Sequence, residues 1–224
     1  MSERIAVETL TLKEVSDLFK HSLETALPGV KGSITSKLEE FEKNKVSHYK
    51  WTQTYEIVKG AKLNLYCQKF DALSSPVVSI GMIHRTKRGL ILVVADTSNG
   101  GIANWKARPK KWDNSVIIYT DHFCERYAER IMKQDLANFS TGCEGIMYAD
   151  IGGIVRVLET DANGVEEIEF QFHEGQAYGY RDRSNKIVLY RTVYSNNMLR
   201  GDRNEFRNEW KASVAEIKEW FRWE

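Results

Sequence analysis

The chain has 224 residues, and its 32 basic and 31 acidic residues leave a net charge of +1. Hydrophobic residues make up 42% of it and aromatic residues 11%. That composition belongs to a globular protein; it excludes a disordered chain and, with 3 Pro and 15 Gly, a collagen-like or low-complexity one.

The first predicted element is a helix. Thr11 and Glu14 have capping-box spacing, and Leu12, Val15, Leu18, Phe19 and Leu23 follow at helical intervals. Pro28 and Gly29 predict its end. A second box, Ser36 to Glu39, predicts a shorter helix carrying Leu38 and Phe41. From Tyr49 the period changes to two, with Tyr49, Trp51, Gln53, Tyr55 and Ile57 on one side of a strand. Leu63, Leu65 and Cys67 alternate in the next run. Residues 76–83 and 89–95 are two further apolar strands, joined by a basic turn from His84 to Gly89. A glycine-bearing loop at Asn99–Gly101 leads into a lysine-rich stretch without a clear period.

Val116 to Tyr119 predicts a short strand, and Thr120 to about Gln134 a helix. Turn signals at Gly152, Gly164, Gly175 and Asn185 then divide residues 146–194 into five runs, which predicts one antiparallel meander. The last segment predicts an amphipathic helix, with Phe206, Trp210, Val214, Ile217 and Phe221 in one stripe. The fold class is therefore α+β: N-terminal helices, a strand-rich middle, then a helix, an antiparallel meander and a C-terminal helix. A boundary near residue 113 would separate an α+β region, 1–113, from a helix–sheet–helix region, 114–224; one single domain is the alternative.

The longest useful apolar run, Gly89 to Ala95, falls far short of the ~20 residues of a spanning helix, so no membrane partner is expected. Glu3 and Arg4 stand where a secretory leader carries its apolar core. Cys67, Cys124 and Cys143 are odd in number and form no CxxC pair, which predicts buried thiols in a reducing cytoplasm rather than a disulfide framework. No HExxH, phosphate-loop or dinucleotide fingerprint occurs, and no serine-hydrolase elbow, so neither a metal nor a cofactor is expected.

The near-neutral total hides a dipolar chain. Residues 84–111 carry Arg85, Lys87, Arg88, Lys106, Arg108, Lys110 and Lys111 against the single acid Asp96. Trp105 and Trp112 are spaced through the lysines. Cations neutralise phosphates and indole faces stack on unpaired bases, so Arg85, Lys87, Arg88, Trp105, Lys106, Arg108, Lys110 and Lys111 are candidate nucleic-acid contacts. Residues 142–175 are the opposite pole, with eight acids against Arg156.

The most specific local feature is the helix after residue 120. Steps of ~100° place His122, Arg126, Glu129 and Lys133 on one side, with Arg130 at its edge and Phe123, Tyr127 and Ile131 opposite. An imidazole in the first helical turn beside a guanidinium suits holding and protonating a phosphate oxygen. His173, at a predicted hairpin tip, is a further candidate, and His84 with His122 and His173 is a weaker metal reading.

A short strand, then His-x3-Arg-x3-Arg on a helix, then a meander closing with Tyr190, Arg191, Thr192, Val193 and Tyr194, resembles small toxin-type ribonucleases of the barnase, EndoU, colicin E-type and RelE group. The resemblance covers residues 115–199. It implies metal-independent RNA cleavage, in which the 2′-hydroxyl attacks the adjacent phosphate. His122 would be the acid or base, Arg126 and Arg130 would hold the phosphate, and Thr192 and Tyr194 would add hydrogen bonds. The same strand alternation puts Arg191 opposite Thr192. Two functions stay open: an endoribonuclease or toxin-like RNA-processing protein, and a non-catalytic protein of a phage or mobile element that binds nucleic acid, RNA above all, or another protein.

Overall fold

The computed structural model describes residues 10–44, 49–56, 62–69, 77–95, 115–149 and 153–198. The predicted C-terminal helix and the stretch with Trp105, Lys106, Arg108, Lys110, Lys111 and Trp112 lie outside them.

Helix α1, Leu12–Asn44, begins as the capping box demands. The Glu14 carboxylate accepts from Thr11 N at 2.7 Å, and Thr11 Oγ1 accepts from Glu14 N at 3.2 Å. The predicted break at Pro28 and Gly29 and the second helix start at Ser36 do not occur, because α1 runs through both. An interior proline costs ~3 kcal/mol. The helix before it is anchored by burial of Leu12, Val15, Phe19 and Leu23.

The strands of the first half follow the alternation: β1 (Tyr49–Glu56), β2 (Lys62–Lys69), β3 (Val77–Thr86), β4 (Gly89–Ala95) and β5 (Val116–Thr120). The β3–β4 turn is tighter than expected. Strand β3 runs to Thr86, which pairs with Gly89, so His84 is a buried strand residue opposite Ile91 rather than part of the turn.

After β5 come α2 (Asp121–Arg130) and α3 (Phe139–Tyr148). Helix α3 corrects the expected meander, whose first run began at Ile146. Asn138 caps it by accepting from Thr141 N at 3.0 Å, and Cys143, Ile146 and Met147 are buried on one side. Its buried residues recur at helical spacing, and its last three residues, 146–148, are those that the expected first run had claimed. The meander begins at β6 (Gly153–Thr160) and continues through β7 (Val165–Phe172), β8 (Gly175–Asp182) and β9 (Ile187–Ser195), all pairing antiparallel.

The nine strands among the described residues join one sheet, in the order β1-β2-β3-β4-β5-β9-β8-β7-β6. Two antiparallel meanders thus meet at a single parallel seam, β5 against β9. A parallel pair needs a long crossover. The chain between β5 and β9 supplies it with α2, α3 and the hairpins of β6 to β8. Alternate residues sort the two faces: Ile91, Val93, Ile118 and Leu189 pack with α1, whereas Leu92, Tyr119 and Tyr190 pack with α2 and α3. Among the described residues, no helix is long and apolar enough to cross a membrane.

Candidate functional site

The end of β5 sets the position of α2. Thr120 is its N-cap, with Oγ1 accepting from Phe123 N at 3.1 Å. The same hydroxyl donates to Arg191 O on β9 at 3.2 Å. Phe123, Cys124, Tyr127 and Ala128 bury the inner side of the helix, and Phe123 lies 6.0 Å from the Tyr190 ring centroid. His122, Arg126 and Glu129 are left on the wet side.

The helix closes at Arg130, since Ile131 N and Met132 N both donate to Tyr127 O. Lys133 falls beyond that end with φ 56. It therefore does not continue the polar stripe as the longer predicted helix implied.

His122 keeps an exposed edge. Partial burial of the ring, and then the positive field of Arg126, Arg130 and Arg191, hold its pKa below the ordinary histidine value, with Asp121 opposing. The imidazole is consequently neutral at pH 7 and can accept a proton or a hydrogen bond. Arg126 forms an ion pair with Glu129 one turn on. The hydrogen bond from Arg126 is the main cause that lowers the Glu129 pKa.

Arg130 has a structural task. Strand β9 runs on past its last partner in β5, so, among the described residues, 191–195 have no strand on that side. Arg130 Nη1 donates to Val193 O at 2.9 Å, as Thr120 does to Arg191 O two residues earlier. The guanidinium also covers the Tyr194 ring at 4.8 Å from its centroid.

Thr192 and Tyr194 are buried. They pair with Tyr178 and Gln176, and the Tyr178 and Tyr194 rings meet edge to face at 5.9 Å. Tyr178 packs with the cluster that α1 covers. Thr192 and Tyr194 therefore point to the α1 side of the sheet, while the body of α2 lies on the other. The cause is a bulge: Gly179 pairs with Tyr190 and Tyr178 with Thr192, which leaves Arg191 as an extra residue and breaks the alternation. The structure thus groups His122, Arg126, Arg130 and Arg191, and joins Tyr194 to that group only through Arg130.

The β3–β4 turn adjoins the start of α2. A Cβ on Gly89, whose φ is +130°, would lie 2.0 Å from Asp121 Oδ2. Arg85, Lys87 and Arg88 are exposed on that hairpin, beside the first turn of α2. In the sequence these cations and the His122 stripe are separate features, and strand alternation set Arg191 apart from Thr192 without placing it beside His122. Only the register of the sheet brings them together. His173 stands exposed in the β7–β8 turn. Among the described residues no cluster of His, Cys, Asp and Glu has the makings of a metal site.

The acidic pole is partly neutralised within the meander. Glu166 pairs with Arg181 and Arg183, and Glu169 with Arg156.

No protein-family model, no curated protein and no solved structure matches the chain.

Proposed function

We propose that the wet side of α2, with the β3–β4 turn and Arg191, is a binding surface for the phosphodiester backbone of RNA. The observation that carries this reading is the positive field of three arginines at His122, next to the exposed cations of a neighbouring hairpin. A phosphate entering there would meet guanidinium donors and raise the His122 pKa, because a nearby anion favours the protonated ring. Binding is then coupled to proton uptake. A fluorescent single-stranded RNA tests it, titrated at several salt concentrations with wild type and with His122, Arg126 and Arg191 jointly replaced by Ala. The variant should bind at least about tenfold more weakly and show a flatter slope of log affinity against log salt. Equal slopes would end the reading.

Cleavage is the second reading, favoured by the neutral imidazole among arginines. His122 would take the proton of the 2′-hydroxyl as that oxygen attacks phosphorus, and Arg126 and Arg191 would hold the phosphorane oxygens. The P–O5′ bond would break with the 5′-oxygen taking a proton from the His122 imidazolium or from water, leaving a 2′,3′-cyclic phosphate. Arg130, Thr192 and Tyr194 would support the strand rather than touch RNA. A cleavage assay in EDTA separates the readings: product from wild type, with a loss of at least about a hundredfold in His122→Ala, favours catalysis. Binding without cleavage leaves the surface as a binding site.

A further inference from the structure

The thiols of Cys124 on α2 and Cys143 on α3 lie 3.7 Å apart in the core. The helices that carry them touch through their backbones. A Cβ on Gly142 would stand 1.9 Å from Cys124 O and 2.9 Å from Cys124 Cα, which only glycine permits. A disulfide needs Cα atoms within ~4.4–6.8 Å and sulfurs at ~2.05 Å. Gly142, the chain neighbour of Cys143, brings the two backbones together, and a shift of ~1.7 Å between the sulfurs would close the bond. Both cysteines are buried in the core cluster that also holds Tyr127 and Met147.

We propose that Cys124 and Cys143 are a modification site for hydrogen peroxide, a dithiol that oxidises to a disulfide tying α2 to α3. In the first step the Cys143 sulfur attacks a peroxide oxygen and the O–O bond breaks. Water leaves with the thiol proton, and Cys143 becomes a sulfenic acid. In the second step the Cys124 sulfur attacks that sulfur. The S–S bond forms, the S–O bond breaks, and a second water leaves with the Cys124 proton. The two thiols give up two electrons and two protons to one peroxide, which ends as two waters.

Burial holds the Cys124 thiol up, well above its ordinary pKa, so it suits the resolving role, not the first attack. The same burial makes oxidation slow and gated by opening of α3. Once formed, the bond closes a loop between residues 124 and 143 that the unfolded chain would otherwise leave free. It would also fix the helix that carries His122 and Arg126, but the covalent step stands whether or not RNA binds there.

The test treats the folded full chain with hydrogen peroxide, then unfolds it, alkylates remaining thiols and maps the peptides by mass. The expected result is a Cys124–Cys143 cross-linked peptide with Cys67 alkylated, reversed by dithiothreitol. The oxidised form should melt about 5–10 °C higher than the reduced form. Oxidation in urea should lose the preference for that pair. A Cys67→Ser chain should behave as wild type, and it keeps the test open if Cys124→Ala or Cys143→Ala fails to fold. Three alkylated cysteines after long exposure, a cross-link through Cys67, or a cross-linked form that melts no higher would each overturn the proposal.

Discussion

Among the described residues the outer sides of β1 and β6 and the end of β9 lack a strand neighbour, and the last two are treated differently. The free side of β9, residues 191–195, is sealed by α2. Thr120 and Arg130 take the carbonyls of Arg191 and Val193, and the aromatic residues of the helix cover the strand. The outer side of β6, last in the sheet order, is left bare among the described residues. Ile154 is 76% exposed and Val155 and Val157 about 40%. A register shift between Val157 and Glu159 bends β6, and Arg156 and Glu159 place charge on it. Bulges and charges are the usual means of keeping an open edge from pairing with another chain. Polar backbone near a core demands dedicated donors, whereas backbone at the rim can be left to water.

The sharpest way to break the closed side is to push α2 away from its support. Gly142→Ala puts a methyl where Cys124 O already stands, so α2 and α3 must separate. We expect a loss of about 3 kcal/mol in urea unfolding. A stability within about 0.5 kcal/mol of wild type would show that the helix pair tolerates separation.

Next comes the cap on Val193. Arg130→Ala should cost about 2 kcal/mol, from a lost charge-assisted hydrogen bond and a lost cation–ring contact. Arg130→Lys should recover only part of it, since one ammonium cannot serve both partners. Thr120→Ala, which removes the helix cap and the bond to Arg191 O together, should cost about 1–2 kcal/mol. Hydrogen exchange should quicken at residues 191–195 in both variants and stay unchanged in β6. The reverse pattern would refute the role given to α2.

The hairpin that delivers β9 to the seam gives a pH signature. Burial pushes the Asp182 pKa up, but hydrogen bonds from Asn185 and Ser184 outweigh it and hold the carboxyl below its ordinary value. The folded state therefore binds the proton less readily than the unfolded chain. Its contribution is present above the unfolded pKa of ~3.9 and is lost as pH falls through the folded value. Asp182→Asn should cost about 1–2 kcal/mol at pH 7. The gap to wild type should narrow as the pH drops below about 4. A gap that stays constant down to the acid transition would remove Asp182 from the account.

The smallest effect is expected at the open edge. Val155→Lys should change stability by no more than about 0.5 kcal/mol, because the residue is already in water. A larger loss would mean that the outer side of β6 is covered in solution.

What the sequence determined by itself was local. Alternation at Tyr49–Glu56, Val165–Phe172 and Ile187–Ser195, the Asn163–Gly164 turn and the Thr11–Glu14 box are written in neighbouring residues, so periodicity and turn chemistry find them. Helix α3 was written there too, as the stripe Cys143, Ile146 and Met147, though its glycines make it a weak helical signal and its end was assigned to a strand. Those glycines exist for a tertiary reason, the contact with Cys124 and Met132. Pro28 misled in the opposite direction, since a local stop signal did not end a helix anchored by the buried Leu12, Val15, Phe19 and Leu23. The wet side of α2 was legible because helical geometry alone gathers His122 and Arg126. Three things belonged to the tertiary structure alone. The parallel seam of β5 and β9 joins segments about 70 residues apart. The bulge at Arg191 turns Thr192 and Tyr194 toward α1 and leaves Arg191 near His122. The approach of Cys124 to Cys143 depends on two helices crossing at a glycine. Each is a contact between distant parts of the chain, and periodicity carries no information about which distant residues meet.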